Sequence, residues 1–108
     1  FLGSGRESVA EHSFRTAVLG YTLGKLDGQA DATRVALLCL FHDAPEARTG
    51  DLNYVYKKYT HADEPRAAAD LTEGLPFGPE IEGMLRAFRE EDSREARLAR
   101  DADQLDLL

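Results

Sequence analysis

Apolar residues recur at spacings of three and four along most of this chain, and nowhere do they alternate as a half-buried strand requires. Ser8-Val9-Ala10-Glu11 is a capping box, with Ser8 as N-cap and Glu11 reaching back from the third helical position. It opens a helix expected to run to about Lys25, with Val9, His12, Thr16, Leu19, Leu23 and Leu26 on its inward stripe. Asp27-Gly28-Gln29-Ala30 is a turn, after which Asp31 or Thr33 can cap a second helix ending at His42. Its run Val35-Ala36-Leu37-Leu38-Cys39-Leu40-Phe41 is apolar on every side, the pattern of a helix buried inside a bundle. Leu52 to Tyr59 mixes aromatics with Lys57 and Lys58, either as a short helix or as an irregular cover. Asp63 or Glu64 with Pro65 starts a further helix that Gly74 closes, and His61 before it reads as solvated. Pro79 suits the first residue of the next helix, which ends near Glu90-Glu91. Ser93 caps the last, with Glu95 in its first turn. The expected fold is all-α.

The second helix carries a conflict. It ends in His42-Asp43, with Glu46 three residues on, although buried ionisable groups are costly unless paired or bound to a metal. Neighbours in mid-helix point ~100° apart, so His42 and Asp43 can meet one ligand only where the backbone turns. Pro45 favours such a break. A His-Asp pair merely capping a helix C-terminus fits the same residues. His12 faces the core of the first helix, where a histidine bonded to a carbonyl is the plainer reading. In the last helix Ala96, Ala99, Asp103 and Leu107 share a stripe flanked by Leu98, Ala102 and Leu105. Asp103 interrupts that side, or sits half-exposed on its shoulder, whereas Asp101 and Asp106 are free to point to water. Taken together, these helices offer two imidazoles and two carboxylates to one interior. Such a donor set suits Mn, Fe, Co or Zn better than magnesium alone.

Composition narrows the choice of partner. A chain of 108 residues, 43% hydrophobic, supports one domain with a real core. Its net charge of -7 argues against a nucleic acid held by phosphate contacts. Cys39 is the sole cysteine, so no disulfide framework exists and core filling in a reducing compartment is expected. No apolar run approaches the ~20 residues of a membrane span, which makes the cytoplasm the expected location. The chain starts without Met and ends within a helical pattern, as the interior of a longer protein would.

With these residues in place, the sequence resembles the HD-domain metal-dependent phosphohydrolases, whose signature is H…HD…D along a helical bundle. ESVAEHSFRTA at Glu7 to Ala17 and HDAPEARTGDL at His42 to Leu52, with Ala102-Asp103 near the end, resemble the 5′-deoxynucleotidase-like branch. The resemblance implies a bundle with the metal site between core helices and His12, His42, Asp43 and Asp103 as ligands of one divalent ion (Mn, Co, Fe, Zn or Mg). It implies that Glu46 is the catalytic glutamate of HDxxE, and that Asp51 of TGD lies beside the water and substrate. Lys57 falls near a family lysine that could meet phosphate, and Arg15 and Arg48 are further candidates for that contact. The family's flanking helices have no counterpart here, and of the Arg and Trp that its pocket carries upstream the chain has no Trp; Phe1 stands near the place of that Trp. The HD-GYP pattern of cyclic-dinucleotide phosphodiesterases is absent.

The implied reaction is metal-dependent hydrolysis of a (deoxy)nucleoside 5′-monophosphate to nucleoside and phosphate. A homodimer is also implied. Two alternatives remain at this point: an HD-type hydrolase of a nucleoside triphosphate or alarmone, and a non-catalytic metal-binding regulatory module. Glu46 and Asp51 speak against the second, because a closed structural site needs neither.

Overall fold

The computed structural model describes residues 8–45 and 72–108. Within them lie helices α1 (Val9–Asp27), α2 (Ala32–Phe41), α3 (Gly78–Glu90) and α4 (Arg94–Asp106) and no strand. The all-α expectation holds. Leu52 to Tyr59, His61 and the helix start at Asp63 or Glu64 lie outside the described residues.

Local chemistry sets the helix ends. The capping box is closed on both sides: Glu11 N–H donates to Ser8 Oγ and Ser8 N–H to Glu11 Oε1, each at 3.0 Å. α1 continues two residues past Lys25 and ends at Gly28, whose φ of 80° lies in the left-handed region that glycine tolerates best. The Asp27 carboxylate accepts from the N–H groups of Gln29 and Ala30, which fixes the tight turn into α2. Asp31, rather than Thr33, caps α2. Helix α3 begins one residue before Pro79, and Ser93 caps α4 by accepting from Ala96 N–H.

Helix α2 packs against the other three, and α4 against both α1 and α3. Val35, Leu38 and Cys39 of α2 and Ala96, Ala99 and Ala102 of α4 are fully buried and form one cluster with Ala87 of α3. The expectation that α2 is enclosed on all sides needs correcting, because Leu37 and Leu40 are 39% and 43% exposed. At ~100° per residue these two lie opposite the fully buried Val35-Leu38-Cys39 face.

The inward stripe of α1 is the expected one only in part: Thr16 is buried and Leu19 and Leu23 pack against the core, but the line of full burial lies beside them. Ser13, Thr16, Gly20 and Gly24 are its buried line, while Leu26 is 78% exposed. The reason is close approach. A Cβ on Gly20 would lie 2.6 Å from Cys39 Sγ, and one on Gly24 would lie 2.7 Å from Ala32 Cα. Leu26, two residues beyond Gly24, is turned about 200° away from that contact. Hydrophobicity alone points to the leucines; Leu19 and Leu23 do pack against the core, but the small residues make the closest helix contact.

The alanine face of α4 works in the same way. Interaxial distance depends on the side chains at the contact, so alanines let α4 lie close to its neighbours. The short aspartates at its C-terminal end can then reach across. Leu107, expected on the inward stripe, is 65% exposed because the helix ends before it. Helix α4 runs antiparallel to α1: Arg94 meets Asp27 at one end, and Asp106 meets His12 at the other.

Candidate metal centre

The C-terminal ends of α2 and α4 converge on the first turns of α1. α2 stops at Phe41 and His42 is its C-cap, its N–H still bonded to Leu38 O. Helical backbone resumes at 44–45, with Ala44 itself helical, so the break lies at the turn of residues 42–43 and not at the residue before Pro45. It allows adjacent side chains to face one point: His42 Nε2 lies 3.2 Å from Asp43 Oδ2. Asp103 Oδ1 of α4 sits between the two rings, 2.8 Å from His12 Nε2 and 3.0 Å from His42 Nε2. His12 Nε2 is 3.7 Å from Asp43 Oδ2. One ligand atom from each of His12, His42, Asp43 and Asp103 falls within a group no wider than 4.8 Å.

This set fits a divalent ion. Donors held at about 2.0–2.2 Å from one first-row ion stand at most about 4.4 Å apart, so small movements bring all four into range. The donors are two imidazole nitrogens and two carboxylate oxygens. Each ring is oriented through its other nitrogen, as metal-ligating histidines usually are. His42 Nδ1–H donates to Cys39 O at 2.6 Å, and its ring stacks on Phe88 of α3 with centroids 4.3 Å apart. His12 Nδ1–H donates to Asp106 Oδ2 at 2.7 Å.

Charge supports the same conclusion. Carboxylates and carbonyls only accept here, so in this arrangement both nitrogens of each ring carry hydrogen. Burial lowers the His42 pKa, but the hydrogen bond and charge of Asp43, the Cys39 carbonyl and the charge of Asp103 outweigh it and raise it to about 9. For His12 burial again acts downward and is overcome by hydrogen bonds to Asp106 and Asp103, leaving its pKa raised. The carboxylates draw positive charge into their midst, and a bound cation answers the same demand. Burial first, and then Asp103, push the Cys39 thiol up to about 12. It stays a neutral thiol, as core filling requires.

Four of the five sequence-derived candidates for substrate chemistry, Glu46, Arg48, Asp51 and Lys57, lie outside the described residues. Arg15 is described: its Nε–H donates to Asp106 Oδ1 at 2.8 Å and its Nη2 to Asp106 Oδ2 at 3.1 Å. Asp106 itself corrects an expectation. Instead of pointing to water its side chain is only 7% exposed, because the first two turns of α1 present His12 and Arg15 to it. The Arg15 hydrogen bond, with a further contribution from His12, holds its carboxyl below the usual range against the opposing effect of burial. A signal for Asp106 existed, since it stands three residues after Asp103 on the same helix. Phe88 and the Cys39 carbonyl carried none.

Residues 2–108 match the family model of the HD domain. The chain belongs to the HD-domain family. This HD domain is also similar to curated 5′-deoxynucleotidases from Klebsiella pneumoniae and Citrobacter koseri, each 45% identical over 51 residues. The 5′-deoxynucleotidase YfbR of Salmonella newport is similar to the same extent. Each of these matches covers 43% of this chain and 26% of the relative, so the similarity spans about a quarter of the relatives' length. No solved structure matches the chain. No helix among the described residues is long and apolar enough to cross a membrane.

Proposed function

We propose that this HD domain is the catalytic core of a metal-dependent phosphohydrolase acting on (deoxy)nucleoside 5′-monophosphates. The observation that carries the proposal is the convergence of His12, His42, Asp43 and Asp103 within 4.8 Å. Similarity to proteins named 5′-deoxynucleotidase supports the substrate class. His12 and His42 would hold one divalent ion through Nε2, and Asp43 and Asp103 through one oxygen each. When bound, such an ion polarises a phosphoryl oxygen and lowers the pKa of water at its side.

The remaining roles fall to the chain's own groups. Glu46 would protonate the leaving 5′-oxygen or orient the attacking water, work for a carboxyl within hydrogen-bond reach. Asp51 would hold that water or a substrate hydroxyl in line. Arg48 and Lys57 would meet the phosphate. Dimeric assembly, which rests on the family resemblance, and a cytoplasmic location belong to the same proposal.

The test is phosphate release from deoxy- and ribonucleoside 5′-monophosphates with Mn, Co, Zn or Mg added. Metal-dependent turnover of monophosphates is expected. Asp43→Ala should lose metal and activity together, whereas Glu46→Ala should lose activity and keep the metal. Full turnover by Asp43→Ala would end the proposal. Turnover of triphosphates alone would move it to another substrate class.

A further inference from the structure

A carboxylate that is no part of the four-ligand group is bound to one of its imidazoles. Asp106 uses both oxygens, Oδ2 on His12 Nδ1 at 2.7 Å and Oδ1 on Arg15 Nε at 2.8 Å. Arg15 Nη2 also reaches Oδ2, at 3.1 Å, so the guanidinium grips the carboxylate on two sides. The spacing matches on both helices. His12 and Arg15 are three apart on α1, Asp103 and Asp106 three apart on α4, and each pair forms one face.

We propose that Asp106, held by Arg15, is a positioning residue that fixes the orientation of His12 and thereby sets the affinity of the metal centre. This rests on the metal-centre reading given above. An imidazole can offer its lone pair at either nitrogen, and the partner of one decides what the other does. Asp106 has no hydrogen to give, so Nδ1 must keep its own and Nε2 is the nitrogen left for an ion. The bond also fixes the plane of the ring, which aims Nε2 at Asp103 and Asp43. Arg15 balances the charge. Among the described residues three carboxylates, Asp43, Asp103 and Asp106, crowd this end of the bundle, and one with its side chain almost buried would be costly without a counter-charge. Paired to Arg15, Asp106 contributes its hydrogen bond without adding net negative charge. Arg15, a phosphate-contact candidate from its place in the sequence, is thus assigned to the support of His12.

The experiment titrates Mn²⁺ or Co²⁺ into the full chain and its variants. Calorimetry gives the affinity, cobalt absorption reports the ligand field, and thermal unfolding without metal checks each fold. Loss of such an outer partner lowers metal affinity by about 10–100-fold, which is the expectation for Asp106→Ala. Asp106→Asn should fall between it and the wild type, because the amide oxygen still accepts from Nδ1–H while the amide nitrogen repels the guanidinium. Arg15→Ala should weaken metal binding less than Asp106→Ala, and Arg15→Lys less again. Adding Arg15→Ala to Asp106→Ala should cause no further loss, since Arg15 acts through Asp106. Wild-type affinity and an unchanged cobalt spectrum in both Asp106 variants would overturn this inference and leave the metal centre standing. A wild-type chain that binds neither ion overturns both. An Arg15→Ala variant with intact metal affinity but a raised KM places Arg15 on the phosphate and overturns its role here.

Discussion

The two ends of this bundle are built from the same three helices and similar residues, yet they differ in kind. At one end α1 finishes while α2 and α4 begin. Asp27 accepts from Arg94 at 3.0 Å, and Glu95 accepts from Asp31 N–H at 2.8 Å. Each anionic group has a donor supplied by the fold. At the other end, where α1 begins and α2 and α4 finish, Asp43, Asp103 and Asp106 surround two imidazoles and one arginine. There the rings are charged only if protonated, and their Nε2 atoms are aimed inward at shared oxygens. A structural end closes its own charge balance, whereas a metal end keeps a demand for a cation. The difference lies in what the carboxylates face, and not in how many there are.

Experiments can break this comparison, and the largest effect is expected from Asp103→Ala. It removes the oxygen shared by both rings and should abolish metal binding measured by calorimetry, while Arg94→Ala at the other end leaves binding unchanged. If Arg94→Ala lost the metal as well, the two ends would not be separable.

A second effect tests how the helices come together. Gly24→Ala gains about 1 kcal/mol of helix propensity. Against that, the new methyl meets the Ala32 backbone, and overpacking costs about 1–3 kcal/mol. Net destabilisation is expected by denaturant unfolding. It should exceed that of Gly20→Ala, whose closest obstacle is the Cys39 side chain rather than backbone.

Smaller still is the effect of breaking the exposed pair. Arg94→Ala should lower Tm slightly, with the difference shrinking in high salt, because exposed ion pairs are screened. Glu95 sharpens the picture through pH. The hydrogen bond from Asp31 N–H, with one from its own backbone, holds its carboxyl below the ordinary value. For Asp27 burial acts upward, but the Gln29, Arg94 and Ala30 bonds and the Arg94 charge together outweigh it, and its pKa is also lowered. A folded pKa below the unfolded one gives stability that is present above the unfolded value and lost as pH falls through the folded one. Glu95→Gln keeps an acceptor for Asp31 N–H and removes the titration. Its unfolding free energy should therefore fall less steeply below about pH 4.3, the ordinary glutamate value, than that of the wild type.

Much of the molecule follows from local sequence. Ser8 with Glu11, Asp31, Gly28 and Ser93 set helix ends through bonds to backbone a few residues away, so nearby residues suffice to place α1, α2 and α4. His12, His42, Asp43 and Asp103 stood out because polar groups interrupt apolar stripes, a feature that needs no knowledge of what lies opposite. Only tertiary structure decided the rest. Leu26 faces water and Gly24 faces α2 because the interface follows the line of closest backbone approach, which hydrophobicity does not encode. Asp106 is drawn inward because the first turns of α1 cross its path with His12 and Arg15, residues more than ninety positions away in the chain. Spacing along one helix can bring a carboxylate to the edge of a site. What it binds there depends on the other helix, and that is a property of the packing.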